Sequence, residues 1–330
     1  MQILSYSFMQ RALIAALLTG LLAPAIGAYI VQRRLSLLGD GLGHVAIAGV
    51  GLALLTGTQP IPVAVVVCVI GAVVVELLRQ QGKATGDVGL AILFYGGLAV
   101  GVLMSGIAGA GTGALSQYLF GSITTVSVGD LTVIAVLAVL VLIPTLGLAP
   151  QLFAVTADEE FARVLGLRVR FYNLMIVVIA AVTVTMAMRT VGLLLVSALM
   201  VVPVATAHNV VRGFRPALAA AMAVGVVVSV GGAMGSFYAD AAPGALIVVS
   251  AIAVFAVSWP AGVLLRRRRV RGMAGLAYRP TRELDPSRPE QHPHVHGVDC
   301  GHEAVVHDDH VDFLHDGHRH AGHRDHYDEH

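Results

Sequence analysis

Nine apolar runs, each close to the ~20 residues that cross a hydrocarbon core as an α-helix, leave this chain little choice of fold. They lie at 12–31, 36–56, 61–78, 88–105, 131–148, 171–188, 191–210, 216–235 and 244–265. The segment 106–128 is rich in Gly, Ser and Thr yet holds Leu115-Ser-Gln-Tyr-Leu-Phe-Gly121, a stretch that reads equally as re-entrant, so the span count is eight to ten. Only 12% of the 330 residues are charged, against about 25% in a soluble domain. The chain is therefore expected to be an all-α polytopic membrane protein: a transmembrane domain over 1–271 and a polar tail over 272–330. Met1–Gln10 lacks a basic leader, and the first apolar run continues into the body of the protein, so no cleavable signal is expected. Cys68 and Cys300 stand too far apart in sequence for a disulfide framework. The net charge of +1 gives no footprint for nucleic acid.

Charge sets the orientation. Arg33/Arg34, Arg79/Lys83, Arg163/Arg168/Arg170, Arg212/Arg215 and Arg266–Arg269 with Arg271 occupy every second connection, whereas the alternate connections hold only Arg189. The positive-inside rule makes the first set cytoplasmic, with the amino terminus outside and the tail inside.

Within this frame, Ser36-Leu-Leu-Gly-Asp-Gly-Leu-Gly-His-Val-Ala-Ile-Ala-Gly49 places an acid and an imidazole in an otherwise apolar, glycine-rich span. On a helix Asp40 and His44, at i and i+4, share a face. Ionisable groups at membrane depth line polar paths or pair with a neighbour, and carboxylate with imidazole suits a divalent transition metal. Two ligands alone do not make a metal site, so a self-satisfied Asp–His pair stays open beside the metal reading. Counted from Arg34 at 1.5 Å per residue, Asp40 falls about 9 Å and His44 about 15 Å along the helix, near the midplane, where transporters place substrate on interrupted helices. Gly39, Gly41 and Gly43 either interrupt the helix and expose carbonyls or allow close helix contact, as Gly97/Gly101 and Gly231/Gly235 would. Glu76, one turn from Arg79, reads as an interfacial ion pair, and Asp87 and Asp130 read as N-caps. His208 sits about one turn from the inner face, either helping cations leave or bonded to backbone at the interface.

The one sizeable cytoplasmic loop, Ala149–Arg170, contains Thr156-Ala-Asp-Glu-Glu-Phe-Ala-Arg-Val-Leu-Gly166. Its pattern predicts a short amphipathic helix with Thr156 as N-cap, acids in the first turn and Gly166 at the end. Phe161, Val164 and Leu165 form an apolar stripe suited to a partner's groove. The leading acids oppose adsorption on the anionic inner leaflet.

From Arg279 onward the chain is polar and proline-bearing, then dense in histidine: His292, His294, His296, His302, His307, His310, His315, His318, His320, His323, His326 and His330, interleaved with acids. Such a composition buries no core and is expected to be disordered without ligand. Imidazole with carboxylate chelates zinc, nickel or copper. The histidines are irregular and widely spread, without finger spacing, so several weak, exchanging sites are expected.

Taken in order, several motifs resemble the permease family of metal-cation ABC importers, which take up zinc, manganese or iron(II). They are Ser36-x-x-Gly39-Asp40-x-x-x-His44, Lys83-x-x-x-Asp87, Tyr118-Leu-Phe-Gly121, Phe161-Ala-Arg-Val-Leu-Gly-Leu167, Val191-Gly-Leu-Leu-Leu-Val-Ser-Ala-Leu199, Pro203-x-Ala-Thr-Ala207 and Pro243-Gly244. The resemblance covers most of 13–260. Gly41, Gly43 and Ala48 depart from the usual pattern, which touches the helix shape beside Asp40 and His44 rather than the ligands. The resemblance implies a bacterial plasma-membrane permease that dimerises with a second copy, two cytoplasmic ATP-binding subunits and an extracytoplasmic metal-binding protein. It further implies that Glu159, Phe161, Arg163, Val164, Leu165 and Gly166 belong to a coupling helix seated on the ATPase. The His-rich tail points within the family to Zn²⁺ as the transported cation, with Mn²⁺ or Fe²⁺ as the alternative and no permanent cofactor. The chain carries no Gly-x-x-x-x-Gly-Lys loop of its own, so ATP would be hydrolysed on the partner subunits. An ATP-independent secondary cation carrier is the rival reading.

Overall fold

A computed structural model describes residues 6–81, 86–122, 126–188, 191–275, 300–307, 310–315, 318–323 and 326–329. Among these, the helices are α1 (Ser7–Gln32), α2 (Leu38–Thr56), α3 (Pro60–Gln80), α4 (Gly86–Ile107), α5 (Gly111–Phe120), α6 (Val128–Gly147), α7 (Ala149–Ala157), α8 (Glu159–Val164), α9 (Val169–Ala187), α10 (Leu193–Val210), α11 (Phe214–Ala239) and α12 (Pro243–Gly275). Seven are long and apolar enough to cross a membrane, and shorter apolar helices cover Ala91–Ile107 and Leu195–Val210. Each of the nine apolar runs is thus helical, as a polytopic all-α membrane protein requires. Among the described residues between α4 and α6 the helix is α5, which at about 15 Å is too short to span.

Helix ends follow local chemistry, and two expected caps move. Ser127, not Asp130, caps α6: its hydroxyl accepts from Asp130 N–H at 3.0 Å, while the Asp130 carboxylate accepts from Ser127 N–H at 3.1 Å. That reciprocal box makes Asp130 the third helical residue, where an acid completes the cap. Asp87 likewise lies inside the first turn of α4 rather than ahead of it. Lys83, Arg189, His292, His294, His296 and His330 lie outside the described residues.

Burial sorts the helices. In their apolar windows α2 is 78% and α1 72% buried, against 28% for α3 and 22% for α6. The inner helices are built from small residues and a few large ones, including Leu22, Ile26, Tyr29, Leu42 and Ile47. Lipid is as apolar as leucine, so helices associate here through close packing and internal hydrogen bonds rather than through the hydrophobic effect. One such bond crosses the bundle, Tyr29 Oη donating to the Thr145 carbonyl at 2.8 Å. At the C-terminal end of α3, Arg79 Nε and Nη2 donate to the buried Glu76 carboxylate, both at 2.8 Å, and Gln80 Nε2 adds a third bond at 3.0 Å. The Glu76–Arg79 ion pair expected there is present.

The chain divides into two compact units, Met1–Ser258 and Trp259–His330. In the second, β1 (Ala304–His307), β2 (His310–His315), β3 (His318–His323) and β4 (His326–Glu329) form an antiparallel sheet in the order β1-β2-β3-β4. These strands lie within the tail, most of which falls outside the described residues. Composition hid a pattern: His307, His315 and His323 recur every eight residues, as do His310, His318 and His326. A six-residue strand such as β2 or β3 fits within that eight-residue period, and β-formers such as Val305, Val306, Val311 and Phe313 fill the strands.

Candidate functional site

The residues that aim α2 into the bundle precede it. α1 ends with Arg34 in the left-handed conformation, φ 58°, and Leu35 N–H bonding back to the Ile30 carbonyl at 3.0 Å, a Schellman-type stop without the usual glycine. Residues 33–37 then turn, and helical rise begins only at Leu38. His44 consequently lies about 9 Å and Asp40 about 3 Å into the helix, shallower than a count from Arg34 suggests. Asp40 is half-buried in the first turn of α2, where the helix dipole favours a carboxylate. His44, one turn on, is 5% exposed.

α2 is continuous, so its glycines do not interrupt it. Gly41 N–H bonds to the Leu37 carbonyl at 3.2 Å, and the Leu42 carbonyl accepts from Cys68 Sγ at 3.2 Å rather than facing an ion path. The glycines serve close approach instead. A Cβ on Gly39 would come within 2.7 Å of Ser197 Oγ, and one on Gly97 within 2.6 Å of the His44 carbonyl carbon. Gly101 similarly faces the Ile47–Ala48 backbone and Gly235 faces Leu246, whereas nothing stands within 4 Å of a Cβ on Gly231. α2 is therefore clamped between α4 and α10. Gly97→Ala is expected to force α4 off the His44 turn and destabilise the protein by about 1–3 kcal/mol, read as a lowered Tm in detergent. Gly231→Ala, in open space, should leave Tm unchanged.

Two polar atoms at this clamp stand unsatisfied: His44 Nδ1 and Ser197 Oγ are buried without a hydrogen-bond partner. The His44 ring packs on Phe94, centroids 3.9 Å apart at 59°. Buried polar atoms are nearly always paired, so an Asp40–His44 pair that satisfies itself does not account for this nitrogen. A lone-pair nitrogen beside a carboxylate one turn away is donor chemistry suited to a transition cation. Among the described residues no three metal-ligating side chains converge. Phe94 and Ser197 were not legible as site residues; the buried serine in the 191–199 motif was the available signal.

His208 is not brought to this pair. Gly43 meets Leu193 and Gly39 meets Ser197, so α10 runs antiparallel to α2, and His208 lies about 16 Å beyond Ser197. Its side chain is exposed, while neighbouring Asn209 Nδ2 donates to Ser258 Oγ at 3.1 Å.

In the loop between α6 and α9, the short helix starts two residues later than expected. Thr156 is buried in α7, its hydroxyl donating to the Phe153 carbonyl at 3.0 Å. Asp158 is the cap of α8, with Oδ1 accepting from Glu160 and Phe161 N–H at 2.9 and 3.0 Å. A carboxylate serves this position better than threonine because it also meets the positive end of the helix dipole. Gly166, φ 79°, ends the turn that follows α8. Ala162 packs inward against Val155 and Val169, which leaves Phe161, Val164 and Leu165 outward at 58, 84 and 57% exposure.

Glu159 ties this helix to the bundle. Its Oε1 accepts from Arg33 Nη2 at 3.2 Å and Asn173 Nδ2 at 3.0 Å and lies 3.7 Å from Arg79; its Oε2 lies 3.8 Å from Arg163. The Arg33 side chain is only 5% exposed. Burial, with Arg79 close by, pulls its guanidinium below the ordinary value, opposed by Glu76 and Glu159. Sequence reasoning placed Glu159 on the helix and missed that it joins the ends of α1, α3 and α9.

Residues 5–261 match the model of the ABC 3 transport family. The chain is 33% identical over 259 residues to the manganese transport system membrane protein MntC of Halalkalibacterium halodurans, covering 78% of this chain and 88% of that protein. It is 30% identical over 254 residues to the chelated iron transport system membrane protein YfeD of Yersinia pestis, covering 77% and 85%. Among solved structures, PsaBC from Streptococcus pneumoniae in complex with Fab superposes with a TM-score of 0.71 at 27% identity, over 78% of this chain and 92% of that one. With the match spanning the whole helical bundle, the chain belongs to the ABC 3 transport family.

Proposed function

We propose that this protein is the permease subunit of an ABC importer that moves a divalent transition-metal cation into the cytoplasm. The observation that carries the reading is the buried, unpartnered His44 Nδ1 one turn from Asp40 on the most buried helix of the bundle. A permease must release its ion as well as bind it, which favours two or three ligands per subunit over a closed four-ligand cage. A second copy of the chain would complete the set by facing its own Asp40 and His44 across the pathway. Cytoplasmic ATP-binding subunits would dock on α8, and an extracytoplasmic metal-binding protein would deliver the ion. The protein would sit in a bacterial plasma membrane with the amino terminus outside and the tail inside, as the arginine distribution supports. The tail would bind metal as an accessory to transport.

The relatives named for a metal point to manganese and iron, whereas zinc rests on the chemistry of the tail, which lies beyond the matched residues 5–261. Uptake of radiolabelled Zn²⁺ and Mn²⁺ into vesicles holding the permease, its ATPase and its binding protein separates these. Uptake of either ion that requires ATP and survives removal of the tail is the expected result, and the faster ion names the cargo. Equal uptake with and without ATP would replace the importer by a secondary carrier.

A further inference from the structure

Packing, not hydrogen bonding, sets where the lone pair of His44 Nδ1 points. That nitrogen is buried without a partner, and the ring stands against Phe94, with centroids 3.9 Å apart at 59°. Phe94 is itself fixed in place. It lies three residues before Gly97 on α4, and therefore on the same face. A Cβ on Gly97 would come within 2.6 Å of the His44 carbonyl carbon, and one on Gly101 within 2.7 Å of the Ile47 carbonyl carbon. One on Gly51 would come within 2.5 Å of the Gly101 carbonyl oxygen. These contacts advance together along both helices, so α2 and α4 run parallel with their backbones in contact, as small residues allow. Tyr95 then meets the Phe94 ring edge-on, centroids 5.2 Å apart at 76°, a favourable geometry for two aromatic rings.

Helical side chains lean toward the N-terminus of their own helix, so the His44 imidazole leans back over the turn that carries Asp40. Phe94 stands against that imidazole on the α4 side and restricts its swing. A ligand already held in place spares the ion the cost of ordering it, which for one side chain amounts to about three- to tenfold in affinity.

We propose that Phe94 is a positioning residue for the transported cation: its ring holds the His44 imidazole in the orientation that binds. The proposal rests on the reading of His44 as a ligand to the cargo. Leucine or methionine at position 94 would fill nearly the same space, but neither offers a flat ring against which the imidazole is held.

The full-length permease in nanodiscs is titrated with Mn²⁺ as probe. Bound ion is counted from loss of the free-ion EPR signal, and imidazole ligation is read from nitrogen coupling in pulsed EPR. The His44-dependent part is whatever His44→Ala removes. Phe94→Leu and Phe94→Met are each expected to weaken that part about three- to tenfold and to alter the nitrogen coupling, with Tm close to that of the unchanged protein. Phe94→Tyr, which keeps the ring, should bind as the unchanged protein does. Undiminished binding in the Leu and Met variants, or weakening that only tracks a fall in Tm across the series, would overturn the positioning role and leave His44 a ligand. So would a Tyr variant as weak as the other two. Retention of all Mn²⁺ binding and nitrogen coupling in His44→Ala would remove the ligand reading itself, and the proposal with it.

Discussion

Asp40→Asn and His44→Ala are each expected to reduce ATP-driven uptake by about 100-fold or more while the ATPase still co-purifies. A cation stripped of part of its water inside a low-dielectric bundle depends on every charged or lone-pair ligand it meets, each worth several kcal/mol there. Asn keeps the volume of Asp40 but removes the charge, and Ala removes the imidazole. Neither residue packs at the surface where the ATPase would sit. Near-normal uptake in both variants would remove the pair from the pathway. His208→Ala, about 16 Å from the pair along α10, is the internal control and should alter uptake little.

The second large effect is expected at α8. Phe161→Asp with Val164→Asp places charge on the outward apolar face and should reduce ATPase co-purification by more than about tenfold, as loss of a hydrophobic anchor does. The permease itself should keep its Tm, since those side chains face away from the bundle. Glu159→Gln separates docking from transmission. The Asp158 cap that holds α8 in shape remains, but the charge tying it to Arg33 and Arg79 is lost. The half-exposed pairs contribute up to about 1 kcal/mol each, and the buried Arg33 side chain loses its acid, so uptake should fall roughly tenfold with the ATPase still bound. Unchanged uptake in Glu159→Gln would assign the tie to stability alone.

Much of this was legible without coordinates. Whether a segment spans depends on the summed transfer free energy of its own ~20 residues, so all nine apolar runs are helices and their ends moved by only a few residues. The Asp40–His44 relation is one turn of a single helix, and the outward face of Phe161, Val164 and Leu165 is likewise a property of one short segment. The eight-residue histidine period of the tail is likewise a property of the string itself.

What the string left open was every decision that needs two distant segments. A left-handed Arg34 with no glycine to announce it delayed the start of α2 and changed the depth of His44. Ser197 and Phe94 joined the site because α10 and α4 lie against α2, and Glu159 met Arg33 across 126 residues of chain. In lipid no net hydrophobic gain tells two apolar helices apart, so their pairing follows shape, in grooves such as that over Gly39 and Gly97, and the hydrogen bonds the fit permits. Sequence alone therefore determined the spans, the local motifs and the family resemblance. Tertiary structure decided which faces meet, and with them the surroundings of His44 and the tie that holds α8.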